Sequence, residues 1–187
     1  MVVRQSAERR LSGNDHRGTR AMTGACTGRL RPGLVLRSED AYVVDPEKVR
    51  EFARVILAMD PAHHDVDAAR KAGYANLVAP PTFGAVVTAA LIRDMLTDPA
   101  SGIDMSTHTP IHVNERITLT APILAGDVLT ASLTVTGVTE RGDAVFLDTE
   151  TSLRTVADEP RSTVVSSILV APNDVPARPE PATVGAR

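Results

Sequence analysis

The chain has 187 residues, 43% hydrophobic and 23% charged, the balance of one globular domain large enough to bury a core without covalent staples. A net charge of −3 argues against a dominant nucleic-acid role, which needs a concentrated basic surface, and an aromatic content of 3% without tryptophan argues against base-stacking platforms. A single cysteine, Cys26, excludes an internal disulfide and fits a cytoplasmic protein, and no apolar run reaches the roughly 20 residues of a membrane span.

Residues 1–33 are rich in Arg and Gly, with Glu8 and Asp15 as their only acids, and lack the continuous apolar core of a secretory signal. They read as a disordered extension or as a basic arm for a polyanion, and no role is assigned to Cys26 within them. The folded domain is expected over 34–172, followed by a Pro-rich disordered tail over 173–187.

Val35–Val44 reads as a strand. Asp45, Pro46 and Glu47 then supply an N-cap, a first-turn proline and a first-turn acid. The helix they open is predicted to reach Ala58, with Val49, Phe52, Ala53 and Ile56 on its core face. Asp60–Asp65 forms a polar loop, and Val66–Ala72 a short helix stopped by Gly73. Pro80 and Pro81 open a long helix over Thr82–Leu96 whose AVVTAALI run is apolar on nearly every side, so it is expected to be buried all round. Four strands follow, Ile111–Leu119, Val128–Val138, Ala144–Arg154 and Ser162–Val170, with Arg141-Gly142-Asp143 as a hairpin turn. Periodicity by itself predicts an α+β domain, helices first and an antiparallel meander after.

Three stretches carry a family resemblance: VDPEKVREFARVI (Val44–Ile56), PAHHDVDAARKAGYANLVAPPTF (Pro61–Phe83) and APILAGDVLTASLTV (Ala121–Val135). In this order and spacing they resemble the MaoC-like dehydratases and (R)-specific enoyl-thioester hydratases, nearest to the N-terminal-type, non-catalytic subunits of heterodimeric β-hydroxyacyl-carrier-protein dehydratases. The resemblance implies a hot-dog fold, an antiparallel sheet wrapped around a long central helix. It further implies an acyl-CoA or acyl-carrier-protein thioester as substrate and a hot-dog homodimer, or a heterodimer with a catalytic MaoC-like subunit. Neither a cofactor nor a metal is called for.

Dehydration of a 3-hydroxyacyl thioester needs a base for the α-proton, an acid for the leaving hydroxyl, and donors for an enolate-like oxygen. In the family a His–Asp pair moves the protons, and backbone N–H groups at the start of the central helix hold the carbonyl oxygen. His63 falls on the catalytic histidine. Without gaps, Ala58 then stands where the aspartate belongs, Leu57 at the preceding glycine and Asp60 at the asparagine. A gapped alignment instead moves Asp60 onto the aspartate, making it the candidate partner of His63. Pro81 replaces a glycine of active relatives and has no N–H to donate, although proline also suits a first helical turn. The resemblance places Asp65, Tyr74, Pro81, Thr82 and Phe83 around the substrate.

His63, His64 and Asp65 cluster without the complementary ligands of a known metal site, so no metal is assigned and His64 is left without a role. On the first long strand, alternation makes Val113, Ile117 and Leu119 core and turns His112 and Asn114 outward. Three readings stay open: an acyl-channel subunit with an incomplete site, a self-sufficient homodimer using His63 with Asp60 or Asp65, and a non-enzymatic acyl-thioester binder.

Overall fold

The computed structural model describes residues 28–173; residues 1–27, with Cys26, and 174–187 lie outside it. Its elements run β1 (Val35–Arg37), β2 (Tyr42–Val43), α1 (Pro46–Val55), α2 (Val66–Lys71), α3 (Gly84–Thr97), β3 (His108–Leu119), β4 (Val128–Arg141), β5 (Ala144–Thr155) and β6 (Pro160–Pro172). Short 3-10 turns cover Pro61–His63, Pro81–Phe83 and Pro99–Ser101. The sheet is antiparallel in the order β1-β4-β5-β6-β3, with β2 also on β4. It curls around α3, the arrangement of a hot-dog fold.

The core follows from strict alternation. Leu129, Leu133 and Val135 on β4, Val145, Leu147 and Leu153 on β5, and Ile168 and Val170 on β6 are all fully buried. They meet Phe83, Val87, Leu91 and Met95 from the central helix. Burying each such side chain contributes about 1.5–3 kcal/mol. Phe83 is clasped edge-on by Tyr42 and Phe52, with centroids 6.3 and 5.4 Å away, so three of the few aromatics pin the start of α3 to β2 and α1.

Several expectations are corrected. The strand expected over Val35–Val44 is two short pieces, because Ser38 turns its hydroxyl to the N–H of Ala131 and interrupts the ladder. The first helix stops at Val55 rather than Ala58, and Ile56 is 43% exposed instead of facing the core. The central helix begins as a 3-10 turn and becomes α-helical at Gly84. It is not buried all round: the sheet covers one side, leaving Ala89, Ala90, Arg93 and Asp94 exposed. On β3, which bulges between His112 and Asn114, those two residues are exposed as expected, but Val113 and Leu119 are exposed as well, and Ile117 alone of the three expected core residues packs against the core. Leu30 is buried and the N–H of Arg29 donates to the carbonyl of Ala100, so residues 28–33 pack with the domain.

Candidate functional site

A cleft of about 480 Å³ opens between the His63 loop and the segment after β3, within the range of small-molecule sites. Asp60, His63, Tyr74 and Pro81 line it, facing Leu119–Ile123 across the opening. Its two walls are stitched together by backbone bonds from Ala79 N–H to Ile123 O (2.8 Å) and from Ala125 N–H to Leu77 O (2.9 Å). The His63 loop hangs from the same segment, since Val78 N–H donates to Ala62 O at 3.0 Å.

The His63 ring is fixed by its Nδ1, 2.7 Å from the carbonyl oxygen of Val78. A carbonyl can only accept, so Nδ1 carries the proton and Nε2 is left as the basic nitrogen. Among the described residues no carboxylate is bonded to this ring. Asp60, one turn earlier, spends one oxygen capping the 3-10 turn through Ala62 N–H at 2.9 Å. His64 donates from Nε2 to the carbonyl of Ala58 at 2.8 Å and accepts at its own carbonyl from Arg50 Nε at 2.8 Å. It ties the α1 exit to the His63 loop.

That exit is a Schellman turn. Leu57 N–H bonds Arg54 O, Ala58 N–H bonds Ala53 O, and Leu57 sits at φ 57°. The left-handed conformation that favours glycine thus falls at Leu57, and the next residue is Ala58, whose carbonyl accepts from His64.

The remaining expected site residues divide. Asp65 is the N-cap of α2, accepting from Ala68 N–H at 2.7 Å, and does not line the cleft. Phe83 is fully buried in the core. Thr82 is exposed but outside the cleft lining. Sequence reasoning missed Asp127 and Arg161. The guanidinium donates to both Asp127 oxygens, at 2.8 and 3.2 Å, in a pair whose side chains are 13% and 15% exposed. Bonding to that carboxylate raises the Arg161 pKa above its ordinary value. Asp127 also accepts from Leu124 N–H, and the Arg161 carbonyl accepts from Thr120 and Ala121, so this pair shapes the cleft's second wall. The signal was the Gly126-Asp127 step, where Gly126 takes φ 97°.

The dehydratase domain region of the FAS1-like family matches residues 32–164. The chain belongs to that family. A UPF0336 protein of Clavibacter michiganensis is 41% identical over 142 residues, 76% of this chain and 94% of the relative. The HadBC (3R)-hydroxyacyl-ACP dehydratase complex of Mycobacterium tuberculosis aligns with a TM-score of 0.61 at 29% identity, over 74% of this chain and 96% of that one. A MaoC-like dehydratase aligns with a TM-score of 0.65 at 27% identity, over 74% of this chain and 42% of that longer one. The family is therefore one of hot-dog dehydratases and hydratases, and the resemblance to MaoC-like proteins holds.

Proposed function

We propose that this chain is the acyl-channel subunit of a cytoplasmic 3-hydroxyacyl-thioester dehydratase and carries an incomplete active site. The observation behind this reading is the pair Leu57–Ala58. The glycine-type backbone at Leu57 supports the ungapped register, in which a methyl group takes the place of the working carboxylate. His63 keeps a basic Nε2 at the cleft, so half of the proton relay is present. Pro81 lines the same cleft without an N–H to offer the thioester oxygen. Losing the acid–base partner costs roughly 10²–10⁴ in rate, and losing one preorganised donor roughly a further 10²–10³. What the cleft retains is shape: a walled space lined by Tyr74, Val78, Ala79 and Ile123 that suits an acyl thioester.

Pairing with a second hot-dog chain is supported by β3. Its 12 residues are bonded on one side to β6, and Ile111 and Val113 are 48% and 57% exposed beside it. A long exposed strand edge of this kind is a hazard that folded proteins cover. The HadBC complex of Mycobacterium tuberculosis is consistent with a partner that brings its own Asp and His.

A second reading has its own observation. Asp60 lines the cleft with His63 and has one carboxylate oxygen free of the cap, which supports a self-sufficient His63–Asp60 site. Hydration of an enoyl thioester separates the two. The pure chain is expected to turn over little, the chain co-expressed with a catalytic MaoC-like partner to turn over fully, and His63→Ala to change the pair's rate only modestly. Robust turnover by the pure chain, abolished by His63→Ala, selects the Asp60 reading.

A further inference from the structure

The turn that carries His63 is attached on two sides, and the attachments differ in kind. Toward the 77–79 segment it is held by backbone, through Val78 N–H on Ala62 O, and by the His63 ring on Val78 O. Toward α1, no backbone hydrogen bond joins Pro46–Val55 to residues 60–65 among the described residues. Two side chains make that link instead. Arg50, in the middle of α1, donates from Nε to the carbonyl of His64 at 2.8 Å, and its Nη1 is held by Glu47, three residues earlier on the same helix. His64 then donates from Nε2 to the carbonyl of Ala58 at 2.8 Å. A guanidinium on a carbonyl is a charge-assisted bond, and the Arg50 side chain is only 25% exposed, so water competes for it weakly.

His64 is the joint of this chain of bonds: its carbonyl takes one and its ring gives the next. The backbone of the residue before it, His63, is thereby fixed relative to α1 and Ala58, while the His63 ring is fixed relative to Val78. The two neighbouring histidines divide the work. Cutting the bonds at His64 leaves His63 its tautomer, set by Val78, but lets its distance from residue 58 vary. A proton relay tolerates little of this, since a misplacement of about 1 Å costs roughly 10²-fold in rate.

We infer that Arg50 and His64 are positioning residues for His63, holding its turn against the exit of α1. The inference rests on the dehydratase reading above and adds two residues to its site. The full-length chain carrying Ala58→Asp supplies the rate to be lost. In it, His64→Leu and Arg50→Met, which each remove one bond, are expected to lower kcat for enoyl-thioester hydration about tenfold or more and to leave KM within about twofold. His64→Gln keeps an N–H for the Ala58 carbonyl and is expected to hold kcat within about threefold. In the otherwise unaltered chain, NMR should show the amides of His63, His64 and Asp65, all bonded within the turn, exchanging about tenfold or more faster in His64→Leu and in Arg50→Met, with those of β4 and β5 unchanged. Undiminished kcat in either variant, an equal loss in the Gln and Leu variants, or unaltered exchange overturns the inference. An Ala58→Asp chain that folds and hydrates nothing overturns the dehydratase reading instead, and amide exchange then decides alone whether the two side chains hold the turn.

Discussion

Leu57 and His63 illustrate how single residues set this site. Leu57 occupies φ 57° at the close of α1, where a β-carbon crowds the backbone by about 1–2 kcal/mol. Because its side chain is 77% exposed, replacing it removes little buried surface. Leu57→Gly is therefore expected to stabilise the chain by about 0.5–1 kcal/mol, read as a rise in melting temperature of roughly 2–4 °C. A fall in melting temperature would show that Leu57 contributes packing this account does not grant it. His63 is set differently, by one bond to the Val78 carbonyl that chooses its tautomer. That choice leaves Nε2 basic without any help from a neighbouring acid.

At the scale of elements, the cleft depends on joints between segments far apart in sequence. The Asp127–Arg161 pair links the turn before β4 to the start of β6, and the same two residues hold Leu124, Thr120 and Ala121 by their backbone N–H groups. Removing one partner of a largely buried pair leaves the other charge uncompensated, at a cost of about 3–5 kcal/mol. Arg161→Met is expected to lose stability of that order in urea unfolding, whereas Arg154→Met, whose partner Asp158 is 84% exposed, should lose less than about 1 kcal/mol. Equal losses would mean that the Asp127–Arg161 pair is no more than a surface contact. The elements themselves were largely legible in the sequence, for stated reasons. Asp45 does accept from Glu47 and Lys48 N–H, and the four long strands follow their Val/Thr alternation. The failures lie where tertiary context overrides the local pattern. Ser38 splits a strand by reaching Ala131, β3 leaves Val113 and Leu119 exposed along with its polar residues, and an apolar helix stays partly uncovered. Of the expected site residues, His63, Asp60, Tyr74 and Pro81 meet at one cleft, because loop and helix start are clamped to the same 77–79 segment. Phe83 and Asp65 do not, since one fills the core and the other completes a helix terminus.

For the whole molecule, the described chain is a hot-dog unit whose long edge strand β3 is bonded on one side to β6, and the proposed function adds a site that lacks one carboxylate. No helix among the described residues is long and apolar enough to cross a membrane. The central claim is that one methyl group, at Ala58, separates this chain from a working proton relay. The most direct measurement is enoyl-thioester hydration by Ala58→Asp beside the unaltered chain, both pure and both folded by circular dichroism. The account predicts a rise of about 10²-fold or more on placing a carboxylate at the family's aspartate register, short of a full enzyme because Pro81 still withholds its donor. An Ala58→Asp chain that folds, binds the thioester and hydrates it no faster than the unaltered chain would contradict it.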